Sequence, residues 1–121
     1  MCLLTQSTLS LNVSTATAST FGSKPGLSFT FDDHRIAPIH FIVQAFYLPR
    51  DGGVTVKLCL LTKTGLYLKC GEAQPHFLKV GLWYQLWDGS VVYVRNSAGD
   101  LHRIEFAELR VSELPPVSSY Q

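Results

Sequence analysis

The densest group of ionisable side chains in the sequence is Asp32-Asp33-His34-Arg35, directly after the alternating run Leu27, Phe29, Phe31. Carboxylate, imidazole and guanidinium side by side are the groups of an acid/base or cation site at a strand end. The same residue types also cap turns by satisfying local backbone groups, which is their commoner use. The histidines are His34, His40, His76 and His102. No two are spaced i, i+2 or i, i+4, so no single element presents a metal-ligating pair. A site built from Asp33, His34 and a second histidine has to be assembled by the fold.

Cys59 is the best nucleophile on offer, with one of the histidines as its base. It sits inside the apolar run Val54 to Leu60, where a thiol is usually buried and unreactive. The cysteines Cys2, Cys59 and Cys70 are odd in number and have neither zinc-finger nor CxxC spacing. Cys59 and Cys70 fall on runs that read as neighbouring strands, which makes a bridge between them geometrically open; a buried free thiol is the commoner case. The sequence has no P-loop, no dinucleotide fingerprint and no Gly-x-Ser-x-Gly elbow. Nothing names a cofactor. An enzyme with a Cys or His-Asp site is therefore an alternative reading, not the leading one.

The aromatic residues carry more information. Trp83, Tyr84, Trp87 and Tyr93 gather around Asp88-Gly89. Such side chains dominate binding hot spots because they are large, stiff and amphipathic, and they also anchor cores. The long run Ile36 to Leu48 has two apolar faces. One carries Ile39, Phe41, Val43, Ala45 and Tyr47, and the other His40, Ile42, Gln44 and Phe46. A strand of that kind is covered on both sides, or it keeps one face, here Ile42 and Phe46, for an interface. Lys57, Lys69, Arg95 and Arg103 lie on predicted strands, interleaved with Tyr67, Trp83 and Tyr93. That mixture suits a stacking groove for single-stranded nucleic acid. Solvated strand faces with edge lysines use the same residues.

These groups are positioned by strands. Leu9, Leu11 and Val13 alternate with polar residues, as do Leu27, Phe29 and Phe31, and Val54, Val56, Leu58 and Leu60. Arg50-Asp51-Gly52-Gly53, Lys63-Thr64-Gly65 and Asn96-Ser97-Ala98-Gly99-Asp100 are turns by residue chemistry. Asp88-Gly89, between two β-rich runs, signals a hairpin that would set Trp83 beside Tyr93. Glu105 to Leu109 fits a short helical turn as well as a strand. The pattern predicts one all-β domain over 1–121, an antiparallel β-sandwich or small β-barrel of about seven to eight strands. A loop or mobile arm is expected at 14–24 and a flexible tail at 115–121, after Pro115-Pro116. The succession Trp83-Tyr84, Asp88-Gly89, Val91 to Val94 and Glu108-Leu109-Arg110 resembles that in Tudor and SH3-like barrels. The resemblance covers a minor part of the chain, shows no aromatic cage and implies no function.

Composition limits the partners. In 121 residues, 10 Lys and Arg stand against 9 Asp and Glu, for a net charge of +1. That balance leaves no general footprint for a phosphate backbone. Only 16% of residues are charged while 46% are hydrophobic, which suits a surface partly covered by another copy of the chain. No apolar run reaches the ~20 residues of a membrane helix, and the first residues do not form a signal-peptide core, which favours an intracellular site. The expected function is a non-catalytic interaction or structural module. It would self-associate and present Trp83, Tyr84, Trp87, Tyr93, Ile42 and Phe46 to an unidentified protein, a profile that a viral accessory or attachment-type domain would also fit. A small barrel binding single-stranded nucleic acid through Lys57, Lys69, Arg95 and Arg103 is the alternative.

Overall fold

Apolar–polar alternation becomes strand along almost the whole chain. The computed structural model describes residues 2–48, 50 and 53–111. In order, the strands are β1 (Leu3–Val13), β2 (Ser19–Gly22), β3 (Phe29–Thr30), β4 (Phe41–Leu48), β5 (Gly53–Leu60), β6 (Leu66–Lys69), β7 (His76–Phe77), β8 (Trp83–Leu86), β9 (Ser90–Arg95) and β10 (Leu101–Val111). They form two five-stranded sheets packed as a sandwich. Sheet A has the order β1-β10-β9-β6-β7 and sheet B the order β3-β2-β4-β5-β8. The described residues include no helix, and so none long and apolar enough to cross a membrane.

The inward face of each strand is the apolar one. Sheet A contributes Leu66, Leu68, Val92, Val94, Ile104 and Phe106 to the core, and sheet B contributes Phe21, Phe41, Val43, Ala45, Val56, Leu58, Leu60 and Leu86. Phe21 stacks on Phe41 with ring centroids 4.5 Å apart and meets Phe106 of the opposite sheet edge-on at 5.8 Å. Full burial of such a ring contributes about 1.5–3 kcal/mol. That is enough to hold four-residue β2 in place, although the polar segment around it reads as a loop.

Several expectations are corrected. β1 pairs with β10 in parallel and β2 with β3 in parallel, so the sheets are mixed and not purely antiparallel. The described residues form ten strands, two of them only two residues long, where the sequence pattern predicts about seven to eight. The segment 14–24 contains β2, with Phe21 fully buried. Glu105 to Leu109 is strand, because β10 continues to Val111 along β1. The Asp88-Gly89 turn does not close a hairpin. β8 pairs with β5 in sheet B and β9 with β6 and β10 in sheet A, so the turn carries the chain across the sandwich. The positive φ of Gly89, 85°, serves that crossing. Cys59 lies on β5 of sheet B and Cys70 just after β6 of sheet A, and both are free. The tail at 115–121 and part of the turn at 50–53 lie outside the described residues.

At Gly22 the backbone admits no side chain. A Cβ there would lie 2.1 Å from the carbonyl oxygen of Pro38. This close approach lets Ser23 donate its amide to Ala37 O and Lys24 its amide to Pro38 O, at 3.0 and 3.2 Å. The loop after β2 is thereby laced to the loop before β4.

Candidate functional site

One end of the sandwich gathers the loops 23–28, 31–40, 61–65 and 96–100 around a buried carboxylate. Asp33 is 8% exposed. Its Oδ1 accepts from the backbone amide and the Nε of Arg35, each at 3.0 Å. Its Oδ2 accepts from Asn96 Nδ2 at 2.9 Å and from His102 Nε2 at 2.7 Å. Burial by itself raises the carboxyl's pKa, but the hydrogen bonds from Asn96, His102 and Arg35 outweigh it and hold Asp33 well below the usual carboxylate range. An ionised carboxylate only accepts, so His102 carries its proton on Nε2. In the neutral ring Nδ1 then accepts from the Thr5 hydroxyl, at 2.7 Å. Arg35 also reaches Asp100, at 3.7 Å.

The chain Thr5–His102–Asp33 has the order hydroxyl, imidazole, carboxylate, which is that of a general-base relay. Its partners tell what it does here. Two of the four contacts of Asp33 tie separate segments together, β10 through His102 and the β9–β10 turn through Asn96, and two brace its own loop through Arg35. Thr5 adds β1. The arrangement clamps the end of the sandwich. Of the sequence cluster, Asp33 and Arg35 belong to this clamp, and Asp32 and His34 line, together with Leu4, Thr5, Asp33, Arg35 and His102, the cleft onto which it opens. Among the described residues no three His, Cys, Asp or Glu side chains gather as metal ligands.

His40 makes a second clamp. It is fully buried and its Nε2 meets Gly65 O at 2.8 Å, while Nδ1 has no partner among the described residues. Burial keeps its pKa below the ordinary 6.5, against the opposing effect of the Gly65 carbonyl. The imidazole thus fixes the β5–β6 turn to the start of β4. Cys59 is 5% exposed, and burial raises its thiol pKa. A thiol in that state holds little thiolate and is a poor nucleophile.

The predicted partner-binding residues divide between the two outer faces and the core. On sheet B the register sets Ile42 opposite Cys59 and Cys59 opposite Trp83, with Phe46 two outward positions further along β4, beyond Gln44. Trp83 is 40% exposed and meets Phe46 edge-on, centroids 4.9 Å apart; Lys57 Nζ lies 5.7 Å from the same Phe46 ring. Trp87 is exposed at the end of this strand. Tyr84 points the other way, packing against the core while its hydroxyl accepts the Lys79 amide at 3.0 Å. Tyr93 is on the opposite sheet and does not meet Trp83. The four basic positions split as well: Lys57 belongs to sheet B, and Lys69, Arg95 and Arg103 to sheet A.

No family model matches this chain, and no curated protein matches it significantly. Solved structures do. The fold is similar to that of FHA domains. The MEK1 FHA domain superposes with a TM-score of 0.56 at 15% identity, over 66% of this chain and 63% of that one. The MEK1 FHA domain in complex with a HOP1 phosphothreonine peptide gives 0.58 at 14% identity, over 69% and 78%. The N-terminal FHA domain of S. cerevisiae Rad53p, in complex with a phosphothreonine peptide, gives 0.50 at 20% identity, over 64% and 56%. The chain thus spans less than two thirds of the length of two of these. At such identities the likeness is one of fold. It replaces the barrel suggested by the Tudor and SH3-like pattern with a sandwich.

Sequence reasoning missed the partners of Asp33. His102 lies 69 residues from it, Asn96 63, and Thr5 meets His102 across 97. No local spacing announces contacts of that range. It also missed Phe77, 53% exposed, whose ring lies against Tyr67 at 5.1 Å on sheet A.

Proposed function

We propose that this chain is a non-catalytic protein-interaction module that associates with itself and with a partner protein through the outer face of sheet B. The carrying observation is the pairing of exposed Trp83 with Phe46 beside half-buried Ile42, on a face where the cation of Lys57 leans on the Phe46 ring. A stiff aromatic pair beside an aliphatic side chain, with polar Gln44, Lys57 and Gln85 in the row between Ile42 and Phe46, is the mixed composition of a protein–protein interface. The low charge of the sequence agrees, since a covered surface does not need solubilising groups. Sedimentation velocity across a wide concentration range tests it. A reversible dimer is expected, and Trp83→Ala with Phe46→Ser should leave a monomer. A wild-type chain that stays monomeric throughout sinks the self-association.

A second reading rests on the fold likeness to domains solved with phosphothreonine peptides. The hydrogen-bonded loop end presents Lys24 and Lys63 with the hydroxyls of Thr62 and Thr64, and cations with hydroxyl and amide donors are what a phosphate requires. The test is binding of phosphothreonine peptides against their unphosphorylated forms. Discrimination that Lys24→Glu with Lys63→Glu abolishes, and Trp83→Ala leaves intact, supports this reading. Equal binding of both forms removes it.

A further inference from the structure

The outer face of sheet A differs in chemistry from that of sheet B. The strand register lines up Phe77, Tyr67, Tyr93 and Arg103 across β7, β6, β9 and β10, one residue per strand. Neighbouring strands are about 4.8 Å apart, so three aromatic rings follow one another across roughly 10 Å of uncovered sheet. Tyr67 and Tyr93, with Pro75 and Leu101, line an open and mainly apolar cleft of about 420 Å³. Phe77 is held by the β5–β6 turn. Gly65 has φ 105°, and a Cβ there would strike the Phe77 ring at 2.7 Å, so only glycine lets the ring lie where it does. The Arg95 guanidinium sits over that ring, 5.7 Å from its centroid.

Charge completes the face. Arg95, Arg103 and Lys69 are on its outward positions, half-buried and beside the rings. Against them stands Glu105, 3.6 Å from Arg103. Aliphatic side chains are few here, unlike the Ile42–Phe46–Trp83 face, which suits an apolar protein surface. Rings that offer π-faces to any planar group, flanked by cations, match a ligand of alternating bases and phosphates.

We propose that the outer face of sheet A binds single-stranded nucleic acid. One base enters the cleft between Tyr67 and Tyr93, a neighbouring base stacks on Phe77, and phosphates lie on Arg95, Arg103 and Lys69. Duplex is excluded from such a site because its bases are already stacked. This surface is separate from the sheet B face and from the loop end, so its failure leaves the proposed function untouched.

The test is fluorescence anisotropy of the full chain with a labelled oligothymidylate of about 12 nucleotides. Three phosphates neutralised at about −0.7 each predict a log–log salt slope near −2 between about 50 and 200 mM salt. An abasic strand of equal length and charge should bind at least ~10-fold more weakly, because the stacking is lost. Tyr93→Ala should weaken binding by a similar factor, Arg95→Gln should flatten the salt slope, and Trp83→Ala on the opposite sheet should change neither. The proposal is overturned by absence of binding at about 50 mM salt, by equal affinity for the abasic strand, or by equal affinity for a polyglutamate peptide, which would mark a merely cationic face.

Discussion

Asp33 has two uses in sequence, as a site group and as a turn cap, and in the fold it is the acceptor on which four donor contacts converge. Its neighbours Asp32, His34 and Arg35 suggest a site, and its own type suggests a turn cap. Burial decides: an ionised carboxylate at 8% exposure is sustained only because every donor around it is aimed at it. Removing the acceptor strands the donors, and breaking such a buried set costs on the order of 3–5 kcal/mol. Asp33→Ala should therefore lower the urea midpoint sharply at pH 7. The pH dependence has a definite sign. Because the folded pKa is depressed below the ordinary 3.8, the stabilisation is complete above that value. It is lost as the pH falls below it, where the unfolded chain takes up the proton first. Urea titrations from pH 7 downward should show wild-type stability declining below about pH 4. Asp33→Asn, which cannot ionise, should start lower and decline less. An equal slope in both proteins would remove Asp33 from the account. The Asp33 side of this clamp was visible in the sequence; the His102, Asn96 and Thr5 side was not, since loop closure over such lengths leaves no local trace.

At the scale of elements, legibility followed local period. β9 is marked in the sequence by Val91 to Val94, an unbroken β-rich run between two glycine turns. β5 was marked almost as well by its strict alternation. What failed was pairing. Asp88-Gly89 has the residues of a tight reversal, but Leu86 and Ser90 turn inward on opposite sheets, and core packing overrides the hairpin preference of the dipeptide. β10 failed differently. Ala107 and Glu108 have good helix propensity, yet the parallel ladder with β1, from Ser10–Glu108 to Val13–Val111, supplies backbone partners that a helical turn would forgo. Ala107 is exposed and Phe106 fully buried. Ala107 is the extra residue of a bulge between the pairs Leu9–Phe106 and Ser10–Glu108, so Ala107→Thr should be close to neutral in the strand. In a helix the same change would cost about 0.5 kcal/mol. Phe106→Ala should cost about 3–5 kcal/mol, as it empties the contact between the sheets. Thermal melts of the two variants separate these outcomes, and a destabilised Ala107→Thr beside a mild Phe106→Ala would contradict the strand.

At the scale of the whole molecule, the sandwich separates two aromatic groups that look like one in the sequence. Trp83 and Tyr93 are close in number, but the chain crosses between the sheets after β8, so their side chains look out in opposite directions. Lys57 is parted from Lys69, Arg95 and Arg103 by the same crossing. Among the described residues, one face thereby sets Trp83, Phe46 and Ile42 around Lys57, and the other sets Tyr67, Phe77 and Tyr93 beside Lys69, Arg95 and Arg103. Different physics should govern them. The proposed association through Trp83, Phe46 and Ile42 would be driven by apolar burial, which added sodium chloride barely weakens and sulfate strengthens. Attraction of phosphates to Arg95, Arg103 and Lys69 is screened within about 10 Å at 0.1 M salt. Sedimentation and anisotropy on one preparation, across the same salt series, should therefore diverge: the dimer persists while oligonucleotide binding falls. Trp83→Lys should abolish the dimer with little change in the thermal midpoint, because the indole is 40% exposed on the edge strand β8 and outside the core. If salt dissolved the dimer in step with the oligonucleotide, both events would share the cationic sheet, and sheet B would lose its role as the docking face.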